Sequence, residues 1–160
     1  MAAKWKMAAG GATTCISLAA ALANDANTHS GHSGITQTAL DNSTDKYPHA
    51  KFVLSVPETF AAAPTAGGYF DVWMTENDID STSDETPVPG ATDIESLARR
   101  VGSIRVDDQD VANLKPLVIH GILASVSSAL FYVRNKTGQA TTYSASPLTL
   151  KVTPFTYEDV

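Results

Sequence analysis

The chain has little of what stabilises small secreted proteins or drives binding to nucleic acids. It contains a single cysteine, Cys15, among its 160 residues, so no internal disulfide can form and the fold depends on its core and on neighbouring subunits. Basic residues are also few, since 11 Lys and Arg stand against 17 Asp and Glu and give a net charge of −6. Binding to nucleic acid or to an anionic membrane depends on Lys and Arg, so this balance argues against both and favours protein partners.

Long apolar runs are absent as well. No stretch approaches the roughly 20 apolar residues that span a bilayer, so we expect a soluble protein with no membrane contact. The N-terminus has only a weak likeness to a secretory signal. Lys4 and Lys6 precede an apolar stretch that ends at Ala23, but its middle, residues 10–15, is less apolar than such signals require. We therefore expect this segment to be retained.

What is present fits one globular domain with a short leader. The chain is 43% hydrophobic and 18% charged, and Ala, Thr, Ser and Val are frequent, a composition that favours strands over a helical bundle. We expect a β-sandwich domain over residues 35–160 and an N-terminal arm with a short helix over residues 1–34. Residues 13–24 predict the helix, because a threonine can cap it and apolar residues recur at helical spacing.

Alternation of apolar and polar residues predicts the strands. Seven segments carry it, and an eighth is a shorter candidate: 35–40, 51–56, 69–75, 101–106, 117–123, 129–135 and 148–153, with 141–144 as the eighth. Short strands separated by turn residues, without alternating helices, predict an antiparallel sandwich and exclude a doubly wound α/β fold. The residues expected to share one core are Phe52, Leu54, Phe70, Val72, Phe131, Val133, Leu150 and Val152.

Two polar segments contain residue types that bind metals. His29 and His32, with Asp25 nearby, lie in a stretch rich in Asn, Ser and Gly, but no third ligand stands at a spacing typical of zinc sites. The acidic segment 76–95 offers carboxylates, yet it lacks the glycine and the final glutamate of a calcium loop. We expect both segments to be solvated or to face a partner, with no metal and no cofactor bound.

No set of residues predicts catalysis. His120 lies within an apolar strand, where a packed histidine is commoner than a base, and no nucleophile elbow is present. Cys15 has no histidine near it in sequence and lies in an apolar segment. The pairs Gly10-Gly11 and Gly67-Gly68 lack the strand–glycine–helix context of a nucleotide site. We therefore expect a protein that is not an enzyme.

Several segments together carry a resemblance to a known group of proteins. They are the Ala/Thr-rich leader and residues 41–44, 51–56, 68–74 and 131–140. Over most of its length the chain resembles small virion structural proteins of tailed phages, and among these the jelly-roll cement or decoration proteins of phage heads. The resemblance implies a jelly-roll sandwich on the capsid surface that binds the major capsid protein and other copies of itself.

The leader contains the residues that we expect to contact a partner. Trp5 is flanked by Lys4 and Lys6, and tryptophan is frequent among the residues that dominate interfaces. Residues 1–12 offer little apolar area against an ordering cost of about 1–2 kcal/mol per residue. We therefore expect this leader to be mobile in the free protein and ordered in the assembly.

Two other functions fit the same architecture. The first is a tail or adaptor component, because a fold does not determine a location in the virion. The second is a receptor-binding or carbohydrate-binding sandwich, in which Trp73, Tyr69 and Tyr143 would have to converge on one exposed face.

Overall fold

The computed structural model describes residues 5–29, 31–56, 60, 62–77, 94, 98–106, 117–123 and 128–159. These residues form an all-β fold of ten antiparallel strands in two sheets, which confirms the predicted class. The strands are β1 (Trp5–Ala9), β2 (Thr13–Leu18), β3 (Ile35–Gln37), β4 (Leu40–Asp41), β5 (His49–Ser55), β6 (Tyr69–Asn77), β7 (Arg99–Arg105), β8 (Leu117–Ile122), β9 (Ser128–Lys136) and β10 (Leu148–Asp159).

The two sheets enclose one core. The larger sheet has six strands in the order β3-β2-β10-β5-β8, with β1 also paired to β10, and the smaller sheet has the order β4-β9-β6-β7. Phe52 on β5 and Phe131 on β9 meet edge to face between the sheets, with ring centroids 5.4 Å apart. All eight residues predicted for the core are buried in one cluster. Each such side chain stabilises the fold by about 1.5–3 kcal/mol.

A second apolar cluster lies on the smaller sheet. Trp73 on β6 and Tyr132 on β9 are paired in register and pack with buried Ile94. The N–H of Ala98 donates to the carbonyl oxygen of Ile94 at 2.9 Å. Of the acidic segment 76–95, residues 78–93 and 95 lie outside the described residues.

The predicted helix over residues 13–24 is wrong. Thr13–Leu18 forms β2 and pairs with β10, and the register shifts between Leu150 and Lys151, which leaves Cys15 as an extra residue on β2. This β-bulge places consecutive residues, Cys15 and Ile16, in the core. The bulge breaks the two-residue period of a strand, so the apolar positions imitate helical spacing. Pairing with β10 also suits the β-branched residues of this segment.

Two other predicted strands differ in the structure. Residues 35–40 do not form one strand, because β3 pairs with β2 in the larger sheet and β4 pairs with β9 in the smaller one. The chain therefore crosses between sheets at residues 38–39. In the candidate 141–144, only Thr141 forms a bridge, to Phe60. The division of the chain at residue 34 stays a prediction.

Among the residues that the structure describes, no helix has the length and apolar character needed to cross a membrane.

Candidate protein-binding edge

β10 changes its neighbour at Pro154. Residues 148–152 of this strand pair with β2, and residues 155–159 pair with β1 on the same side, while β5 pairs along the opposite side. A proline has no N–H to donate to a strand ladder. The N–H of Gly10 donates to the carbonyl oxygen of Pro154 at 2.8 Å, so β1 continues the direction of β2 after an interruption at residues 10–12.

Gly10 makes a close approach at this interruption. A Cβ atom added at Gly10 would lie 3.0 Å from Cγ of Pro154 and 3.2 Å from Cε2 of Tyr47, whereas a Cβ at Gly11 would meet nothing within 4 Å. A side chain at residue 10 would therefore displace Pro154 or Tyr47 by a few tenths of an ångström. Gly11 lies in open space beside Gly10.

Beyond Pro154 the sheet narrows to two strands. The last pair between β10 and β5 is Phe155 with His49, so residues 156–159 have β1 on one side and no strand on the other within the described part of the chain. Among the described strands, β1 pairs with β10 alone. We call this pair, Trp5–Ala9 with residues 155–159, the β1–β10 ribbon. No described strand pairs with the outer edge of β1 or with residues 156–159 on the side away from β1, and strand edges of this kind can pair with another chain.

Three aromatic rings connect this ribbon to the core. Phe155 is buried, and its ring centroid lies 5.5 Å from that of His49 and 5.4 Å from that of Tyr157. Tyr157, two residues further along β10, is 50% exposed. Because alternate residues of a strand share one face, this face of the ribbon runs from a core residue to an exposed tyrosine.

The residues predicted to bind a partner occupy the outer end of β1. Trp5 is in register with Asp159 and Lys6 with Glu158, and Lys4 lies outside the described residues. Residues 5–9 of the leader pair with β10 within the chain itself, and the mobility of the leader in the free protein stays a prediction.

A polar hollow of about 150 Å³ lies at the foot of the β1–β10 ribbon. It is lined by Gly10, Gly11, Asp41, Asn42, Thr44, Asp45, Tyr47 and Pro154. Asn42 holds this turn in shape, because its side chain donates to the carbonyl oxygen of Tyr47 and accepts from the N–H of Tyr47, both at 3.0 Å. Hydrogen bonds from Ser43 lower the pKa of Asp41. The hollow therefore places the acidic residues Asp41 and Asp45 beside the ribbon.

The histidines weighed as metal ligands contact each other and not Asp25. The rings of His29 and His32 meet edge to face, with centroids 5.8 Å apart. Asp25 is instead bonded to Lys136, and this hydrogen bond lowers the pKa of Asp25. Within the described part of the chain, no three His, Cys, Asp or Glu side chains lie together as a metal-binding group.

The groups considered for catalysis have simpler structural roles where they are described. Cys15 is fully buried, and this burial raises the pKa of its thiol to about 12. The thiol therefore stays protonated at neutral pH and is a poor nucleophile. His120 lies in β8 opposite Lys51, as the strand prediction expected, but its side chain lies outside the described residues.

The aromatic residues named for carbohydrate binding do not share an exposed face. Trp73 is 8% exposed because it packs with Ile94 and Tyr132, and Tyr69 is half-buried. Of the three, only Tyr143 is exposed, at 39%. A stacking platform for a sugar ring needs exposed aromatic faces, so Trp73 does not offer one in this conformation.

Sequence analysis missed a buried polar network at the end of β9. The Asn135 side chain donates to the carbonyl oxygens of Leu22 at 2.9 Å and Gln139 at 2.7 Å, and it accepts from the Thr137 hydroxyl at 2.7 Å. The Thr28 hydroxyl accepts from the N–H of Val133 at 2.9 Å. The residue types at 135–138 predict a turn, but they do not predict the distant residues to which this turn is hydrogen-bonded. This network fixes residues 22–28 against the smaller sheet.

No protein-family model matches the chain. A search of curated proteins also returns no match.

Proposed function

We propose that the chain is a non-enzymatic structural protein of a phage virion, a cement or decoration protein on the capsid surface that binds the major capsid protein and other copies of itself. The single observation that carries this proposal is the β1–β10 ribbon, whose two outer edges pair with no other strand among the residues that the structure describes. Open edges are an aggregation hazard in a free monomer. They become useful where a neighbouring protein pairs with them or covers them.

We also propose that the sandwich is a jelly roll, as the resemblance implies. Eight strands, β2 and β4 to β10, fall into the orders β2-β10-β5-β8 and β4-β9-β6-β7. Numbered one to eight along the chain, these are the orders 1-8-3-6 and 2-7-4-5 expected of two interlocked Greek keys. β1 and β3 lie outside this set and extend the larger sheet.

Charge and chemistry support binding over catalysis. The net charge of −6 disfavours contact with the packaged nucleic acid and suits a position outside the shell. Burial raises the pKa of the Cys15 thiol to about 12, so the protonated thiol is a poor nucleophile at neutral pH. A tail or adaptor component would use the same ribbon. The location of the chain in the virion therefore distinguishes this alternative from the capsid proposal.

The test uses heads and tails of the parent phage separated from each other. We expect mass spectrometry and a density map to find the chain on the head, outside the shell. Heads stripped of the chain should rebind the purified protein and resist heat better after rebinding. A variant that lacks residues 1–9 should stay folded and rebind less. Detection on tails alone would reject the capsid role in favour of the adaptor.

A further inference from the structure

We propose that β1 is an arm that two copies of this chain exchange. β1 of one copy leaves its own β10 and pairs with residues 155–159 of a second copy, which receives the β1 of the first in return. The inference rests on the proposed function in one respect, the association of copies with each other, and it names the contact through which they associate.

The first argument is that β1 depends on one neighbour. All five residues of β1 pair with β10, from Trp5 with Asp159 to Ala9 with Phe155, and β1 pairs with no other described strand. Ala9, at the end of β1 nearest the sandwich, is exposed. Removing β1 therefore leaves the pairing of β10 with β2 and β5 in place.

The second argument is complementarity. The edge that receives β1 is identical in every copy, so an exchanged arm forms the same backbone hydrogen bonds in the same register. The five register pairs, from Trp5 with Asp159 to Ala9 with Phe155, are the same in the exchanged arrangement. An exchange of identical elements between copies is a low-cost route to a dimer, because few contacts have to be created.

The third argument is the hinge. Residues 10–12 connect β1 to β2, and in this segment the N–H of Gly10 bonds to the carbonyl oxygen of Pro154. Pro154 has no N–H to return, so the ladder is already interrupted opposite the hinge. Gly11 has open space around it and a glycine backbone, which allows the chain to change direction. β1 can therefore swing away from its own β10 without breaking the β2–β10 ladder.

The test is disulfide trapping between copies that each carry one cysteine. Cys15→Ala supplies the background, and Ala8→Cys and Thr156→Cys are made in separate copies, since Ala8 and Thr156 are in register. The two proteins are mixed at high concentration, incubated and oxidised. We expect a disulfide-linked heterodimer as the main product, in excess over the two homodimers that random collision gives, with the Ala8–Thr156 link identified by peptide mapping.

The matched control uses two residues that stay paired within one copy when β1 is exchanged. Ser55 and Thr149 are in register between β5 and β10, so Ser55→Cys and Thr149→Cys in separate copies should give no excess of heterodimer. A chain with both Ala8→Cys and Thr156→Cys confirms that the pair can be oxidised. If that chain yields only an intrachain disulfide and the mixed copies yield no more heterodimer than the control pair, the exchange proposal is wrong.

The two proposals fail in distinguishable ways. Cross-copy disulfides together with no binding of the protein to phage heads would keep the exchanged arm and reject the capsid role. Binding to heads together with intrachain disulfides alone would keep the capsid role and reject the exchange.

Discussion

The side-chain amide of Asn135 donates a hydrogen bond to the carbonyl oxygen of Leu22, 113 residues earlier in the chain and 2.9 Å away. Both groups are buried, and the same amide side chain accepts bonds from the N–H and the hydroxyl of Thr137. One side chain thus joins the segment before β3 to the turn after β9. A buried network of this kind is costly to break, because each orphaned group keeps its desolvation penalty.

Asn135→Leu should therefore destabilise the fold strongly. Leucine has a similar size but removes the bond to the carbonyl oxygen of Leu22 and leaves the N–H of Thr137 without its Asn135 acceptor, at a total cost of about 1–3 kcal/mol. Urea unfolding measures the loss. Asn24→Ala is the control and should cost less, because the bonds of Asn24 to Asp25 and from the N–H of Gly138 are exposed. Equal losses for the two variants would contradict the assigned role of Asn135.

The ring pair between the sheets should show energetic coupling. Phe131→Ala is expected to lower the free energy of unfolding by about 3–5 kcal/mol because it opens a cavity in the core. A double-mutant cycle with Phe52→Ala should give a coupling of about 0.5–1.5 kcal/mol for the edge-to-face contact. Tyr143→Ala, at an exposed ring, should change stability little. Additive effects of the two phenylalanine substitutions would argue against the contact.

The Cys15 thiol should make stability fall at alkaline pH. Its pKa is raised from 9.0 to about 12 in the folded protein, so the unfolded chain releases this proton at lower pH than the folded one. The contribution to the free energy of unfolding is complete below pH 9.0 and is lost as the pH rises toward about 12. Urea unfolding across this range, compared with Cys15→Ala, measures it. A Cys15→Ala variant with the same alkaline slope would refute the assignment.

Asp25 should titrate below its ordinary value because of Lys136. The hydrogen bond from Lys136 lowers the pKa of Asp25, so the carboxylate stabilises the fold above pH 3.8 and that contribution is lost as the pH falls below it. The pair is exposed, and its effect on stability should be small. NMR titration of the carboxyl carbon should show a higher midpoint in Lys136→Met, whereas Lys151→Met should leave it unchanged.

Gly10→Ala should loosen β1 without unfolding the sandwich. A Cβ at this residue comes within 3.0 Å of Pro154 and 3.2 Å of Tyr47, whereas Gly11→Ala meets no atom within 4 Å. We expect faster backbone hydrogen exchange over residues 5–9 in Gly10→Ala and a nearly unchanged Tm. The Gly11→Ala variant should exchange like the parent protein. Equal protection of β1 in both variants would show that the proline does not need this glycine.

Alternation predicted the core because the strands that carry it are regular. Leu54 and Val152, for example, are buried on regularly pleated strands, so the period of two survives in the sequence. β2 was missed because the bulge at Cys15 removes that period. The change of sheet between β3 and β4 was missed because residues 35–40 keep strand propensity across the crossing, and propensity carries no information about which strand is the partner.

The candidate edge could be predicted only in part. Trp5 and Lys6 stood out by residue type, but the pairing of β1 is made by backbone atoms with residues about 150 positions away, and small residues such as Ala8 and Ala9 give no pattern for it. The alternation of residues 148–153 extends past Pro154 through Phe155 and Tyr157, and β10 continues in the same way to Asp159. Pro154 interrupts the strand pairing on one side of β10, while β10 keeps its pairing with β5 at this residue.

The central position of β10 has a consequence for synthesis. β10 lies between β2 and β1 on one side and β5 on the other, yet it is the last of these strands to leave the ribosome. Until then β2 and β5 lack the strand that joins them, and their edges stay open while more than 90 residues are added after β5. Pairings between such distant segments form slowly and expose apolar surface for longer. The larger sheet is therefore completed after translation of β10, and crowding of nascent chains during high-level expression should favour pairing between copies.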